Sequence, residues 1–88
     1  MKESYIQEKV CKFAESLGWE VRKMGTRDDP DRLFYRHSVV IFIEFKATKN
    51  GRISQGQIDE HKLMRRHKMN MHIVNSIGHG KQIFKERE

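Results

Sequence analysis

Residues 39–46, Val-Val-Ile-Phe-Ile-Glu-Phe-Lys, place the strongest constraint on how this chain can fold. The stretch is rich in β-branched and aromatic residues, which is typical of a buried strand. Because side chains alternate between the two faces of a strand, its odd-numbered positions form one apolar face that can bury completely. The even-numbered face begins apolar and ends with Glu44 and Lys46. We expect this charged end to belong to a site, since sites open at the carboxyl ends of strands in α/β sheets.

The remaining pattern predicts an α/β fold with the order α-β-β-β-α-β and a mixed sheet flanked by helices. A first helix is predicted from about residue 3 or 4 to 17, a strand at 19–23, a hairpin at 33–37 and 39–46, a second helix from 54 to about 68, and a strand at 71–75. Capping boxes are predicted at Ser4 with Gln7 and at Ser54 with Gln57. The glycine-interrupted residues 77–84 are ambiguous. No linker or repeat divides the chain, so we predict one domain over 1–88.

Composition points to a basic, non-secreted protein. Eighteen Lys and Arg residues against twelve Asp and Glu give a net charge of +6, which favours nucleic acid as partner over an inert basic surface. Cys11 is the single cysteine, so no internal disulfide can form, and a small hydrophobic role in the first helix is expected. No apolar stretch has the length of a signal peptide or a membrane span. We therefore expect a cytoplasmic protein without a membrane partner.

Asp31 is a second carboxylate that the hairpin is expected to bring beside Glu44. It lies just before the first strand of the hairpin, and a hairpin brings the start of one strand beside the end of the next. Asp31 and Glu44 would then repel each other, and Lys46 alone does not neutralise both. A divalent cation such as Mg²⁺ or Mn²⁺ would, because carboxylate oxygens suit such ions. The alternative is an ordinary Glu–Lys salt bridge at a strand end, and these residues alone leave both possibilities open.

The order of these residues resembles the signature of the PD-(D/E)xK nucleases, which have a restriction-endonuclease-like core. More closely, the chain is similar to a VRR-NUC domain of the small stand-alone type found in phages. The motifs that carry the resemblance run from Glu3 to Ser76 and include "PDR" at 30–32, "IEFK" at 43–46, "S..Q" at 54–57 and "IVNS" at 73–76. The resemblance implies that Asp31 and Glu44 hold the catalytic metal, assisted by the backbone carbonyl of Phe45. It gives Lys46 a water-orienting or charge-stabilising role.

The resemblance also implies a supporting role for Gln57 and an acidic residue on the first helix, where this sequence departs from the family. The usual glutamate position falls on Gln7. We favour Glu3 as the acid, with Gln7 as a neutral ligand or water holder, and expect Glu8 to face solvent because it lies away from the apolar stripe. Asp28 and Asp29 replace the usual small residues before Pro30. They either bind a second metal or solvate the turn.

A cluster of basic residues follows the predicted site and is expected to track the DNA backbone. It consists of Lys49, Arg52, Lys62, Arg65, Arg66 and Lys68. A zinc site among the five histidines is disfavoured by their spacing, although His61 shares the helical face that leads to Gln57.

Together these features predict a metal-dependent DNA endonuclease. The resemblance implies a homodimer, and two sites related by a two-fold axis would suit branched DNA such as a four-way (Holliday) junction. Two alternatives stay open at this point. One is a non-catalytic basic DNA-binding module that retains the nuclease fold, and the other is a nuclease for flapped, nicked or single-stranded DNA.

Overall fold

The computed structural model describes residues 1–47 and 52–88, and within them three helices surround a four-stranded sheet. The elements are α1 (Glu3–Ser16), β1 (Glu20–Lys23), β2 (Arg32–Arg36), β3 (Val39–Phe45), α2 (Gln55–Arg66), β4 (Met71–Val74) and α3 (Ile77–Lys85). The sheet order is β1-β2-β3-β4, with β3 and β4 parallel and the other neighbours antiparallel. This confirms the predicted mixed α/β fold, and the ambiguous residues 77–84 belong to a third helix.

The β2–β3 hairpin sets the register that positions the candidate site. Arg36 pairs with Val39, so the connecting turn contains two residues, His37 and Ser38, both with positive φ. Such a turn matches the natural twist of the two strands. At the far end Arg32 pairs with Ile43. The residue before Arg32 is therefore brought beside the carboxyl end of β3, as the sequence predicted.

The apolar face of β3 carries the centre of the core. Ile41, Ile43 and Phe45 are fully buried, and Val39 at the strand's start is partly buried. They pack with the apolar stripe of α1 and with α3. Since alternate residues point to opposite faces, α2 lies over the other face, where Gln57 contacts Glu44.

One of the two predicted capping boxes is wrong. The N-cap of α1 is Lys2, without a side-chain cap, and the amide of Ile6 already donates to the Lys2 carbonyl. Ser4 thus lies inside the first turn and cannot cap it. The second box is confirmed, because Ser54 accepts from the Gln57 amide and the Gln57 side chain accepts from the Ser54 amide. Gly18, with φ of +91°, follows the end of α1 as expected.

Helices α1 and α3 approach each other closely at Gly80. A Cβ added there would clash with a Val10 methyl group and lie 3.2 Å from Val74. Cys11, on the same first helix, is partly buried, and burial raises the pKa of its thiol to about 11. A thiol held protonated in this way fits the predicted small hydrophobic role. In the described part of the chain no helix is long and apolar enough to cross a membrane.

Candidate active site

Glu44 and Lys46 lie at the carboxyl end of β3, on the strand face turned toward α2. Glu44 is only 2% exposed, although a glutamate at a strand end usually reaches water. Lys46 Nζ lies 3.3 Å from Glu44 Oε2, so the two side chains form an ion pair. The salt bridge considered from the sequence is therefore formed, because residues two apart on a strand share one face, while Glu44 Oε1 takes no part in it.

Asp31 meets this pair from the start of β2. Its Oδ2 accepts a hydrogen bond of 2.8 Å from the Phe45 amide, which fixes the carboxylate beside the residue that follows Glu44. The negative charge of Asp31 contributes to the raised pKa of Glu44. The hairpin therefore brings the two predicted carboxylates together.

Gln57 connects the site to the start of α2. Its Nε2 donates to Glu44 Oε2 at 2.9 Å, while its Oε1 accepts from the Ser54 amide at 3.2 Å. One amide side chain thus caps the helix and holds the buried carboxylate, whereas its supporting role in catalysis stays a prediction. Both the oxygen and the nitrogen of the Gln57 amide are hydrogen-bonded. A shift of the start of α2 would therefore also change the orientation of Glu44.

The electrostatics of Glu44 are unfavourable to its charged form. Burial raises the pKa of the carboxyl first and the charge of Asp31 raises it further, whereas Lys46 and Gln57 oppose the shift. Its second oxygen, Oε1, is buried and has no hydrogen-bond partner among residues 1–47 and 52–88. A buried carboxylate oxygen without a partner is costly and is typical of a site that takes a ligand.

A search of solved structures finds a chain described as "VRR_NUC domain" that superimposes on this one with a TM-score of 0.86. The two share 27% sequence identity, and the match covers 98% of this chain and 97% of the other. The chain has the VRR-NUC fold. The resemblance seen in the sequence is confirmed, and the fold implies a nuclease domain that acts on DNA. No protein-family model and no curated protein matches the sequence.

Nuclease folds of this type generally use divalent metals, and the residues of this VRR-NUC site fit such an ion. Asp31 and Glu44 supply carboxylate oxygens, which hard cations prefer, and the unpartnered Glu44 Oε1 is available to one. The part of the chain that the structure describes contains no group of three or more His, Cys, Asp or Glu side chains suited to a metal. The predicted backbone carbonyl of Phe45 is a neutral oxygen and would not belong to such a group.

The first helix carries the two residues, Glu3 and Gln7, that were predicted to complete the site. Glu3 opens α1 and is exposed, whereas Gln7 is partly buried one turn later. Glu8 faces solvent as predicted and pairs with Lys12 at 3.0 Å, which lowers the pKa of its carboxyl. Within the described residues no hydrogen bond joins Glu3 or Gln7 to Asp31 or Glu44. Which of them completes the site stays a prediction.

Asp28 and Asp29 have different structural roles in the turn before Pro30. Asp29 Oδ2 accepts from the Thr26 amide at 3.3 Å and stabilises the turn itself. The Asp28 carboxylate lies against Gly56 near the start of α2, where an added Cβ would be 2.5 Å from its Oδ1. A negative charge there is favoured by the helix dipole. These contacts favour the turn role over the second-metal role.

His61 is the residue that sequence reasoning undervalued. It is 2% exposed, and its Nε2 has no partner in the two described segments. Burial lowers the pKa of its imidazole, and the charges of Arg65 and Lys46 lower it further. The neutral ring therefore lies within electrostatic reach of Lys46. Its i+4 spacing from Gln57 was the available signal, because such positions share one helical face.

The predicted DNA-contacting side chains lie mainly on the outer surface of α2 and just before it. Arg52, Lys62, Arg65 and Arg66 are all exposed, as is Lys68 after the helix. Lys49, the remaining predicted contact, lies outside the described residues. Exposed cations on and near the helix that carries Gln57 are suited to a polyanion whose backbone passes over the site.

Proposed function

We propose that this chain is a divalent-metal-dependent DNA endonuclease that hydrolyses phosphodiester bonds and prefers branched DNA, such as a four-way junction. The observation that carries the proposal is the buried Glu44 carboxylate, with its raised pKa and unpartnered oxygen, held beside Asp31 and Lys46. A protein that needed Glu44 and Lys46 only for stability would gain little from burying them. Ionisable groups whose pKa is shifted by burial and by a neighbouring charge are found more often at functional sites.

Asp31, Glu44 and the Phe45 carbonyl would hold the metal, which when bound supplies positive charge that polarises a phosphoryl oxygen. The protein side chains orient the reacting groups and stabilise charge. Lys46 Nζ, 3.3 Å from Glu44 Oε2, is positioned to orient a water molecule or to stabilise negative charge that develops on the phosphate. Gln57 keeps Oε2 of Glu44 engaged, so that Oε1 is directed to the ligand. Preorganisation of this kind lowers the cost of charge rearrangement during the reaction.

Cleavage of a labelled four-way junction with Mg²⁺ or Mn²⁺ tests the proposal. We expect Glu44→Gln and Lys46→Met to reduce the rate by at least about 100-fold, since each removes a charge used in the transition state. Glu15→Gln removes an exposed charge from α1 and is the matched control. Flapped, nicked and single-stranded DNA serve as competing substrates. Cleavage of all forms at equal rates would exclude branch specificity while leaving the nuclease proposal intact.

The symmetric-cleavage part of the proposal needs two copies of the chain. A mass measurement in solution should give a homodimer, and a monomer at working concentration would refute paired cuts across a junction. The second candidate, a non-catalytic DNA-binding module, is favoured by Gln7 in place of an acidic residue on α1. Wild-type protein that binds the junction but leaves it intact, as its two site variants do, would establish that alternative.

A further inference from the structure

A cavity of about 470 Å³ lies at the opposite end of the sheet from Glu44. Its walls include Val39, the first residue of β3, and the end of α3 at Glu86 and Arg87. Five residues of extended strand separate Val39 from Glu44, which corresponds to about 17 Å. The cavity is therefore distinct from the candidate active site, and its volume is in the range of small-molecule sites.

Arg36 is held in this cavity in an anion-binding arrangement. Its Nη1 donates to the Leu17 carbonyl at 2.7 Å, and the guanidinium lies 4.8 Å from the centre of the Trp19 ring. These contacts fix the planar group on one side. On the other side Nη2 donates to Glu88 Oε2 at 2.7 Å. The Glu88 carboxylate thus marks a position where an acidic group of a ligand would bind.

Trp19 adds an unused hydrogen-bond donor to the same wall. The residue is 3% exposed, yet its indole N–H has no acceptor among the residues that the structure describes. Buried indole N–H groups normally have a partner, so this donor is an independent indication of a ligand. Trp19 is one of the residues that line the cavity.

The remaining walls combine apolar and polar surface. Val39 and Ile83 are apolar, whereas Asn70 and His72 interact with each other through a 2.8 Å contact between Oδ1 and Nε2. Arg87 is a second cation at the rim and is exposed. A ligand that suits this lining has an acidic head for the two arginines and a flat, partly apolar body. Nucleotides have both features.

We propose that this cavity binds a nucleotide, with its phosphate on Arg36 and Arg87 and its base against the apolar wall. A phosphate has enough acceptor oxygens to engage both guanidinium groups, whereas the Glu88 carboxylate engages Arg36. Glu88 acts as an internal competitor that the phosphate displaces. The proposal does not rest on nuclease activity, because none of its residues belongs to the candidate active site.

Fluorescence of Trp19, the single tryptophan of the chain, reports directly on this cavity. Purified protein is titrated at constant ionic strength with a deoxynucleoside monophosphate, with the corresponding nucleoside and with inorganic phosphate. We expect a saturable change with the nucleotide, at least about fivefold weaker binding for Arg87→Gln and tighter binding for Glu88→Gln. Arg22→Gln, an exposed arginine on β1, is the matched control and should bind as wild type does. Both test residues are exposed, so folding is not at risk.

A parallel titration with a short duplex carrying a terminal phosphate identifies the source of the nucleotide. Tighter binding of the free nucleotide assigns a soluble metabolite, whereas binding of the duplex alone, with the same dependence on Arg87, assigns a nucleotide within DNA. The proposal is overturned if neither ligand gives a saturable change, or if Arg87→Gln and Glu88→Gln both titrate like wild type. Equal affinity for the nucleoside and the nucleotide would also overturn it, since the phosphate would then contribute nothing.

Discussion

Replacing Glu44 by Gln should stabilise the metal-free protein while it removes the candidate catalytic charge. Glu44 is 2% exposed, and burial and Asp31 both raise its pKa above the usual value of 4.5. A carboxyl whose pKa is raised on folding binds its proton more tightly in the folded state. Its contribution to stability is complete below the unfolded-state pKa and is lost as the pH rises through the folded-state pKa. At neutral pH the ionised Glu44 therefore destabilises the fold.

The magnitude follows from the removal of a buried charge and from what the substitution leaves behind. Burying an ionised group costs free energy, and Lys46 and Gln57 compensate this cost only in part. Gln retains an oxygen that can accept from Gln57, so that hydrogen bond survives. Lys46 loses its charged partner, but its side chain is 16% exposed and can be partly hydrated. We expect a net gain on the order of 1 kcal/mol, or roughly 4–8 °C in melting temperature for a domain of this size.

Thermal unfolding followed by circular dichroism in the presence of a chelator measures this difference. The advantage of Glu44→Gln should be present at neutral pH and should shrink as the pH falls toward the unfolded-state pKa. Adding Mg²⁺ should then reverse the order of stability. At a Mg²⁺ concentration ten times the dissociation constant, wild type gains about 1.4 kcal/mol, whereas the variant, with one ligand weakened, gains much less.

Two results would refute the reasoning. If Glu44→Gln is less stable than wild type in chelator at neutral pH, the buried charge is compensated in the fold. The ionised Glu44 would then not destabilise the metal-free protein. If Mg²⁺ stabilises both proteins equally, Glu44 is not a metal ligand. Glu15→Gln, on the exposed surface of α1, should stay within about 0.5 kcal/mol of wild type under all of these conditions.

Three further predictions concern packing, the site and DNA binding. Gly78→Ala, with open space around its Cβ, should raise the free energy of unfolding in urea by about 0.5–1 kcal/mol. Gly80→Ala should lower it by about 1–3 kcal/mol, because the added Cβ clashes with Val10. Equal effects of the two substitutions would contradict the close contact between the helices. His61→Gln should slow junction cleavage about tenfold without changing DNA affinity, and an unchanged rate would limit His61 to packing. Arg66→Gln should weaken DNA binding and reduce the salt slope by about one, whereas an unaltered slope would exclude a phosphate contact.

Features that depend on neighbouring residues in the sequence were predictable. The alternation along β3 places Glu44 and Lys46 on one face whatever packs against it, and the two-residue hairpin turn brings Asp31 beside them. Ser54 and Gln57 form their capping box because both partners lie within one helical turn. For the same reason the sequence revealed most of the candidate site.

The features that the sequence alone left undecided depend on distant residues or on a choice between two possible start positions of a helix. Ser4 and Gln7 have the same spacing as the second capping box, yet the N-cap of α1 is Lys2, two residues before Ser4. The burial of His61 and the contact of Gln57 with Glu44 both depend on where α2 lies against the sheet. No local pattern encodes that placement.

The sequence by itself therefore determined which side chains share a face, because strand and helix periods are set by the backbone. The tertiary structure decided their environment. Only the folded arrangement, with Gln57 of α2 against Glu44, buries this carboxyl, raises its pKa and leaves one of its oxygens without a partner in the described residues. Only the return of α3 to the sheet encloses Arg36 and Trp19 in a cavity. Burial depends on contacts between distant segments, and those contacts give the same charged residues their chemistry.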